Sequence, residues 1–120
     1  MSSNKRKGEY LSRYKELKNK YDYLNNKIYN IKGISYTEKV GNGIILTQAE
    51  LIHERDEVVR EMNEILTCVK DADLTPLEYV IVMSRFIDGM SYDTIARRIN
   101  YSRREMFYYR NKALDKIKIK

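Results

Sequence analysis

Three short runs decide the fold: Leu74-Thr75-Pro76-Leu77-Glu78, Gly89-Met90-Ser91-Tyr92-Asp93 and Asn100-Tyr101-Ser102-Arg103-Arg104-Glu105. Each opens a helix. Thr75 to Glu78 is a capping box with proline at the first helical position. The Thr75 oxygen can take a free N–H of the first turn, and Glu78 can reach back to the cap. Leu77, Val80, Ile81, Ser84 and Ile87 then recur at steps of three and four. That spacing predicts a helix burying this face and stopping at Gly89. Ser91 predicts a second, short helix through Ile95, Ala96 and Ile99, with Asp93 favourable near its positive end. Asn100 and Tyr101 make a turn. Ser102 to Glu105 is a second capping box, opening a third helix through Met106, Tyr109, Ala113 and Ile117.

The two helices around that turn have the layout of a DNA-reading helix-turn-helix. Opposite the apolar face of the third helix lie Arg103, Arg104, Phe107, Tyr108, Asn111 and Lys112. A major groove admits one helix, and residues near the helix N-terminus reach base edges. Arginine suits guanine because its fork bonds two acceptors at once. Phe107 suits a thymine methyl, and Tyr108 a base or a phosphate. Residues 96–120 hold nine lysines and arginines against Glu105 and Asp115, a local balance of +7. That density beside the turn supports phosphate binding.

These residues carry a resemblance. The run from Leu74 to Ile117 resembles region 4 of the sigma-70 family, which reads the −35 promoter element. The matching residues are Leu74-Thr75-Pro76-Leu77-Glu78, Arg85-Phe86, Gly89 and Ser91 to Ala96. Tyr101-Ser102-Arg103-Arg104-Glu105 and Lys112-Ala113-Leu114 complete the match. The resemblance implies that the Ser102–Glu105 segment enters the major groove. No stretch resembles the sigma regions that melt DNA or grip the polymerase clamp. A helical first half followed by this module is also similar to small late-gene transcription activators of bacteriophages (the ArpU/RinA type).

Upstream, Tyr10, Tyr14, Leu17, Tyr21, Leu24, Ile28 and Ile31 form a heptad stripe from Gly8 to Lys32, a coiled-coil signal. Packing explains the three tyrosines without base stacking, with their hydroxyls at the seam margin. Lys5, Arg6 and Lys7 lie in a polar start, which reads as a disordered, solvated segment; a phosphate-touching arm is the rarer alternative. Gly33 is suited to end the first helix. Residues 33–46 contain an Asn42-Gly43 turn signal, which fits a small hairpin or a mobile loop, with a linker as the default reading. Neither Gly41 nor Gly43 is followed by the Gly-Lys-Ser/Thr of a phosphate loop. Ile44, Ile45 and Leu46 are expected to tuck against the helices.

Thr47 to Glu50 is a third capping box. It opens a second long helix to about Lys70, with Leu51, Val58, Met62, Ile65 and Val69 on the seam and Ile52, Val59 and Leu66 widening it. Residues 1–32 carry +6 and residues 48–70 carry −3. Opposite charge predicts an antiparallel hairpin, its orientation chosen by ion pairs worth about 0.2–1 kcal/mol each. The wide stripe leaves surface for the C-terminal module or a second copy of the chain, so a homodimer through the N-terminal helices is expected.

At 120 residues and net charge +6, the chain fits one small domain or a domain with a helical appendage. Cys68 is the only cysteine, so an internal disulfide and a cysteine-rich metal site are excluded; it reads as a small buried residue. His53 among Glu50, Glu54 and Glu57 reads as a surface charge cluster, not a zinc site. No long apolar run marks a membrane span or signal peptide, which predicts a cytoplasmic protein of a bacterial host cell. No nucleophile–base pair, paired carboxylates or metal cluster appears at useful spacing, so no cofactor and no enzyme activity are expected.

The sequence therefore predicts an all-α chain: an antiparallel, coiled-coil-like helical hairpin at 1–70 with loop 33–47, then a helix-turn-helix domain at 71–120. The function it predicts is sequence-specific double-stranded DNA binding by a transcription regulator, an activator acting with host RNA polymerase. Arg103, Arg104 and Tyr108 would enter the groove. Ser91, Tyr92, Arg97, Arg98, Tyr101 and Lys112 would hold phosphates, and Ser102, Glu105, Phe107 and Asn111 complete the surface. Two alternatives remain open at this stage. One is a module that binds polymerase or a regulator without DNA specificity. The other is a phage DNA-packaging recognition subunit.

Overall fold

The computed structural model describes residues 2–30, 38–40 and 44–119, and these are predominantly helical. The elements run α1 (Ser2–Asn30), β1 (Glu38–Val40), β2 (Ile44–Leu46), α2 (Gln48–Asp71), α3 (Pro76–Val82), α4 (Tyr92–Ile99) and α5 (Arg103–Lys116). A five-residue π-helical turn, Met83–Ile87, prolongs α3. Among the described residues, no helix is long and apolar enough to cross a membrane.

The chain divides into two compact units, Met1–Lys15 with Asn63–Lys120, and Glu16–Met62. The start of α1 belongs to the first of these units because it is tied to the C-terminal helices. Leu11 is 0% exposed, Lys7 Nζ donates to the Leu114 carbonyl at 2.8 Å, and a Cβ on Gly8 would meet the Phe86 ring at 3.6 Å. The run expected to be disordered and solvated is helical from Ser2 onward.

In the unit Glu16–Met62, Leu24, Ile28, Leu51, Val58 and Met62 are buried, following the expected seams. Arg55 Nη1 donates to Asn25 Oδ1 at 3.2 Å. The Thr47 capping box is formed: the Glu50 N–H donates to Thr47 Oγ1 at 3.1 Å, and the Thr47 N–H to Glu50 Oε1 at 3.3 Å. β1 and β2 pair antiparallel, with Val40 opposite Ile44 and Glu38 opposite Leu46. Of the two alternatives for this segment, the hairpin is the one present. The Asn42-Gly43 turn, the Gly33 helix stop and Ile31 lie outside the described residues, as do the side chains of Ile44, Ile45 and Leu46.

In the other unit, α3, α4 and α5 enclose one apolar cluster. Ile81, Ile95, Ala96 and Met106 are its buried members, with Leu77, Met90, Tyr92, Ile99, Phe107 and Tyr109 packed around them. α3 packs mainly on α5. Ile65, Cys68 and Val69 of α2 are buried, as expected. The Cys68 thiol lies 3.9 Å from the Tyr10 hydroxyl and donates to it. Burial pushes the Tyr10 phenol up to about 12.

The buried face of α3 differs from the expected one. Val80 is 44% exposed, whereas Glu78, Ile81 and Val82 are buried. Glu78, only 2% exposed, accepts from Lys116 Nζ at 2.7 Å and from the Thr75 N–H at 2.9 Å. Desolvation alone would raise its carboxyl. The Lys116 bond, the Thr75 backbone bond and the Lys116 charge outweigh that and hold it below the usual glutamate range. A charged residue can thus sit at the centre of the buried face because its charge is answered there. The π turn shifts the face again. Asp88 N–H reaches Met83 O, five residues back, at 2.9 Å, and Phe86 is buried while Ile87 is half-buried.

Candidate nucleic-acid interface

The turn between α4 and α5 is built by local rules. Ser91 caps α4, its Oγ accepting from the Thr94 N–H at 3.2 Å. Asn100 closes α4 in the left-handed conformation, φ 62°. Tyr101 N–H then bonds Ala96 O at 3.0 Å and Asn100 N–H bonds Arg97 O at 3.3 Å, the paired closure of a Schellman motif. Ser102 caps α5 one residue later. The Glu105 N–H donates to Ser102 Oγ at 3.1 Å, and the Ser102 N–H donates to Glu105 Oε1 at 3.1 Å. Bonds to the carboxyl from the Ser102 backbone N–H, then from the Ser102 side chain, hold Glu105 below its usual range. Glu105 Oε1 therefore serves the cap.

On α5, Met106, Ala113 and Leu114 are buried, while Arg103, Arg104, Tyr108, Asn111 and Lys112 are exposed. Arg97, Arg98 and Tyr101 are exposed as well, so eight of the thirteen expected contact residues present open side chains near the turn. Ser91, Ser102 and Glu105 are also exposed but serve as caps. Two residues are placed inward. Phe107 is half-buried against the core cluster, its ring 4.7 Å from that of Tyr92. Tyr92 is half-buried too, and its hydroxyl accepts from Arg110 Nε at 2.7 Å. The Arg85 guanidinium stacks 4.2 Å from the Tyr92 ring centroid and also donates from Nη1 to Met90 O at 3.0 Å. Tyr92 thus joins the end of the π turn, the start of α4 and the middle of α5.

Exposed aromatic rings border the basic side chains. Tyr108 lies 5.2 Å from Tyr109 edge-on, Lys112 Nζ sits 5.3 Å from the Tyr108 ring, and Tyr101 meets Tyr109 at 5.8 Å. These contacts stand the Tyr108 ring beside the Lys112 ammonium. Arg110 also donates from Nη1 to Asn111 Oδ1 at 2.9 Å, which occupies the amide oxygen and not the amide N–H donors.

Two residues of this surface carry no signal in the sequence pattern. Asp93 Oδ1 lies 3.3 Å from Arg103 Nε, and Arg110 is the clamp on Tyr92. Both pairings cross from one helix to another, so no spacing rule within a helix reveals them. Among the described residues no group of His, Cys, Asp and Glu could hold a metal ion, and His53 is exposed beside Glu50 and Glu54. No family model, no curated protein and no solved structure matches this chain.

Proposed function

We propose that this chain is a sequence-specific double-stranded DNA-binding transcription regulator whose α4–turn–α5 segment is a helix-turn-helix. In this reading α5 enters the major groove, with Arg103, Arg104 and Tyr108 at base edges. Arg97, Arg98, Tyr101 and Lys112 hold flanking phosphates. The observation that carries it is the division of α5 into a buried face and an open basic face, directly after a tight left-handed turn. Phosphate contact by Tyr92 and thymine contact by Phe107 are left out of the proposal, since both rings are engaged inside the unit.

The N-terminal helices form the mount in this proposal, as an antiparallel hairpin. Its support is a contact between α1 and α2 within each unit: Asn25 with Arg55 in one, and Tyr10 with Cys68 in the other. The resemblance of residues 74–117 to sigma-70 region 4 extends the proposal to a phage-type activator working with host RNA polymerase in the cytoplasm. It is a binding protein in this reading, not an enzyme, and a second copy joined through α1 and α2 gives a two-fold site.

Selection from random duplexes by the purified chain tests this. The expected result is one enriched sequence whose affinity falls steeply with salt. Arg104→Ala should relax preference at one position, at a cost of about 1–3 kcal/mol, and Lys112→Ala should weaken all duplexes alike. A chain that retains no duplex at low salt overturns the proposal and leaves protein interaction as the function.

A further inference from the structure

We propose that Arg103 reads one guanine in the major groove and that Asp93 is the residue that positions it to do so. This rests on the duplex-binding function above and names the base that part of the surface selects.

Arg103 is the first residue of α5, and Asp93 lies in the first turn of α4. Arg103 Nε stands 3.3 Å from Asp93 Oδ1, with the two side chains 62% and 65% exposed. The same guanidinium lies 5.5 Å from the centroid of the Phe107 ring. Phe107 is fixed in turn, being packed on the core cluster and on Tyr92. The guanidinium is therefore steadied by a carboxylate at one edge and a ring beside it. Arg104, its neighbour, has neither kind of partner among the described residues.

The edge that Asp93 occupies decides what Arg103 can recognise. Binding at Nε leaves the Nη1 and Nη2 donors free. Two side-by-side donors match the O6 and N7 acceptors of guanine. Adenine offers one acceptor beside a donor, and the pyrimidines offer no such pair. An ion pair this exposed adds little to stability. Its effect falls on freedom instead: an arginine already steadied gives up less conformational entropy on docking. The Asp93 carboxylate also repels phosphate, which lowers affinity for every duplex alike. The steadying raises discrimination, and the repulsion keeps total affinity down.

The full-length chain and its selected duplex provide the test, with a panel of duplexes substituted one pair at a time. Arg103→Ala should cut preference at one G·C pair by about 10- to 100-fold. Asp93→Asn should cut preference at that same pair by about fivefold, while binding to mismatched duplexes holds or rises. Asp93→Glu, which keeps the carboxylate, should retain part of the preference. In the Arg103→Ala background, Asp93→Asn should change preference at that pair no further, the mark of residues acting as a unit. Thermal melts of all variants should coincide within a few degrees. An Asp93→Asn protein with unaltered base preference overturns the proposal. So does an Arg103→Ala protein that weakens every duplex equally and lowers the salt slope by about one, since that marks a phosphate anchor. Either result leaves the duplex-binding function standing, whereas a wild-type chain that selects no duplex overturns both.

Discussion

The first turns of α1 and α5 carry the same sign of charge and are held in opposite ways. α5 opens with Arg103 and Arg104, and α1 with Lys5, Arg6 and Lys7 and no acidic residue in its first turn. Each cation near a helix N-terminus costs about 0.3–1 kcal/mol through the helix dipole. α5 offsets this within four residues: Ser102 caps it and Glu105 adds a carboxylate. In α1, Lys7 reaches the Leu114 carbonyl, 107 residues away in sequence, at the C-terminal end of α5. Lys15 stands beside another helix end, 3.3 Å from where a Cβ on Gly89 would lie. Lys7 and Lys15 thus sit near electronegative helix ends, where a cation is favourable. One helix start is written in adjacent residues, the other in contacts across the unit.

The largest effect should come from breaking those contacts. Leu11→Ala removes a fully buried side chain from α1, and the expected loss is about 2–5 kcal/mol in urea unfolding at neutral pH. A loss below about 0.5 kcal/mol, the range of a surface substitution, would mean that tertiary packing is not what holds the start of α1.

An intermediate effect belongs to Glu78, where both devices meet. It closes the Thr75 capping box and also bonds Lys116 on α5. Glu78→Gln should cost about 1–3 kcal/mol at pH 7, as expected for a buried bond to a charged partner. The pH dependence gives the sharper check. The folded carboxyl titrates below its unfolded value, so its stabilisation is complete at neutral pH. That stabilisation is lost as pH falls from about 4.3, the ordinary glutamate value, through the lowered folded one. The gap between wild type and Glu78→Gln in thermal melts should therefore close as the pH drops towards 3. A gap that stays constant would assign the effect to shape and not to charge.

The same contrast explains what the sequence could reveal. Thr75, Ser91 and Ser102 were legible as caps, and Gly89 and Asn100 as stops, because each bond they make lies within a few residues. The α2 seam was legible because Leu51, Val58, Met62, Ile65 and Val69 repeat at steps of three, four and seven. Val80 was misplaced because an acidic residue reads as solvent-facing until its partner is known, and Lys116 lies 38 positions away. Leu11 falls outside the heptad stripe that Tyr10 and Tyr14 begin, so nothing local marked it as buried. At the candidate interface the exposed arginines were legible from the α5 period. The inward turn of Tyr92 was not, since it depends on Arg85 and Arg110 from other elements.

The smallest effects should separate the two ends of α5 from each other. Ser102→Ala removes the cap and should cost about 1 kcal/mol, and Lys7→Met removes the donor to Leu114 O and should cost about 0.5–1.5 kcal/mol. Similar totals make global unfolding a poor discriminator, but hydrogen exchange reads them apart. Ser102→Ala should speed exchange at the Glu105 amide, whose acceptor is gone, and leave the last turn protected. Lys7→Met should do the reverse. The Ile117 amide, bonded to Ala113 O and Leu114 O at 3.2 Å each, should exchange faster while the first turn is unaffected. If Lys7→Met instead loosens both ends equally, α5 opens as one body. The distant lysine is then a support for the whole helix, and the division between a local start and a tertiary finish must be abandoned.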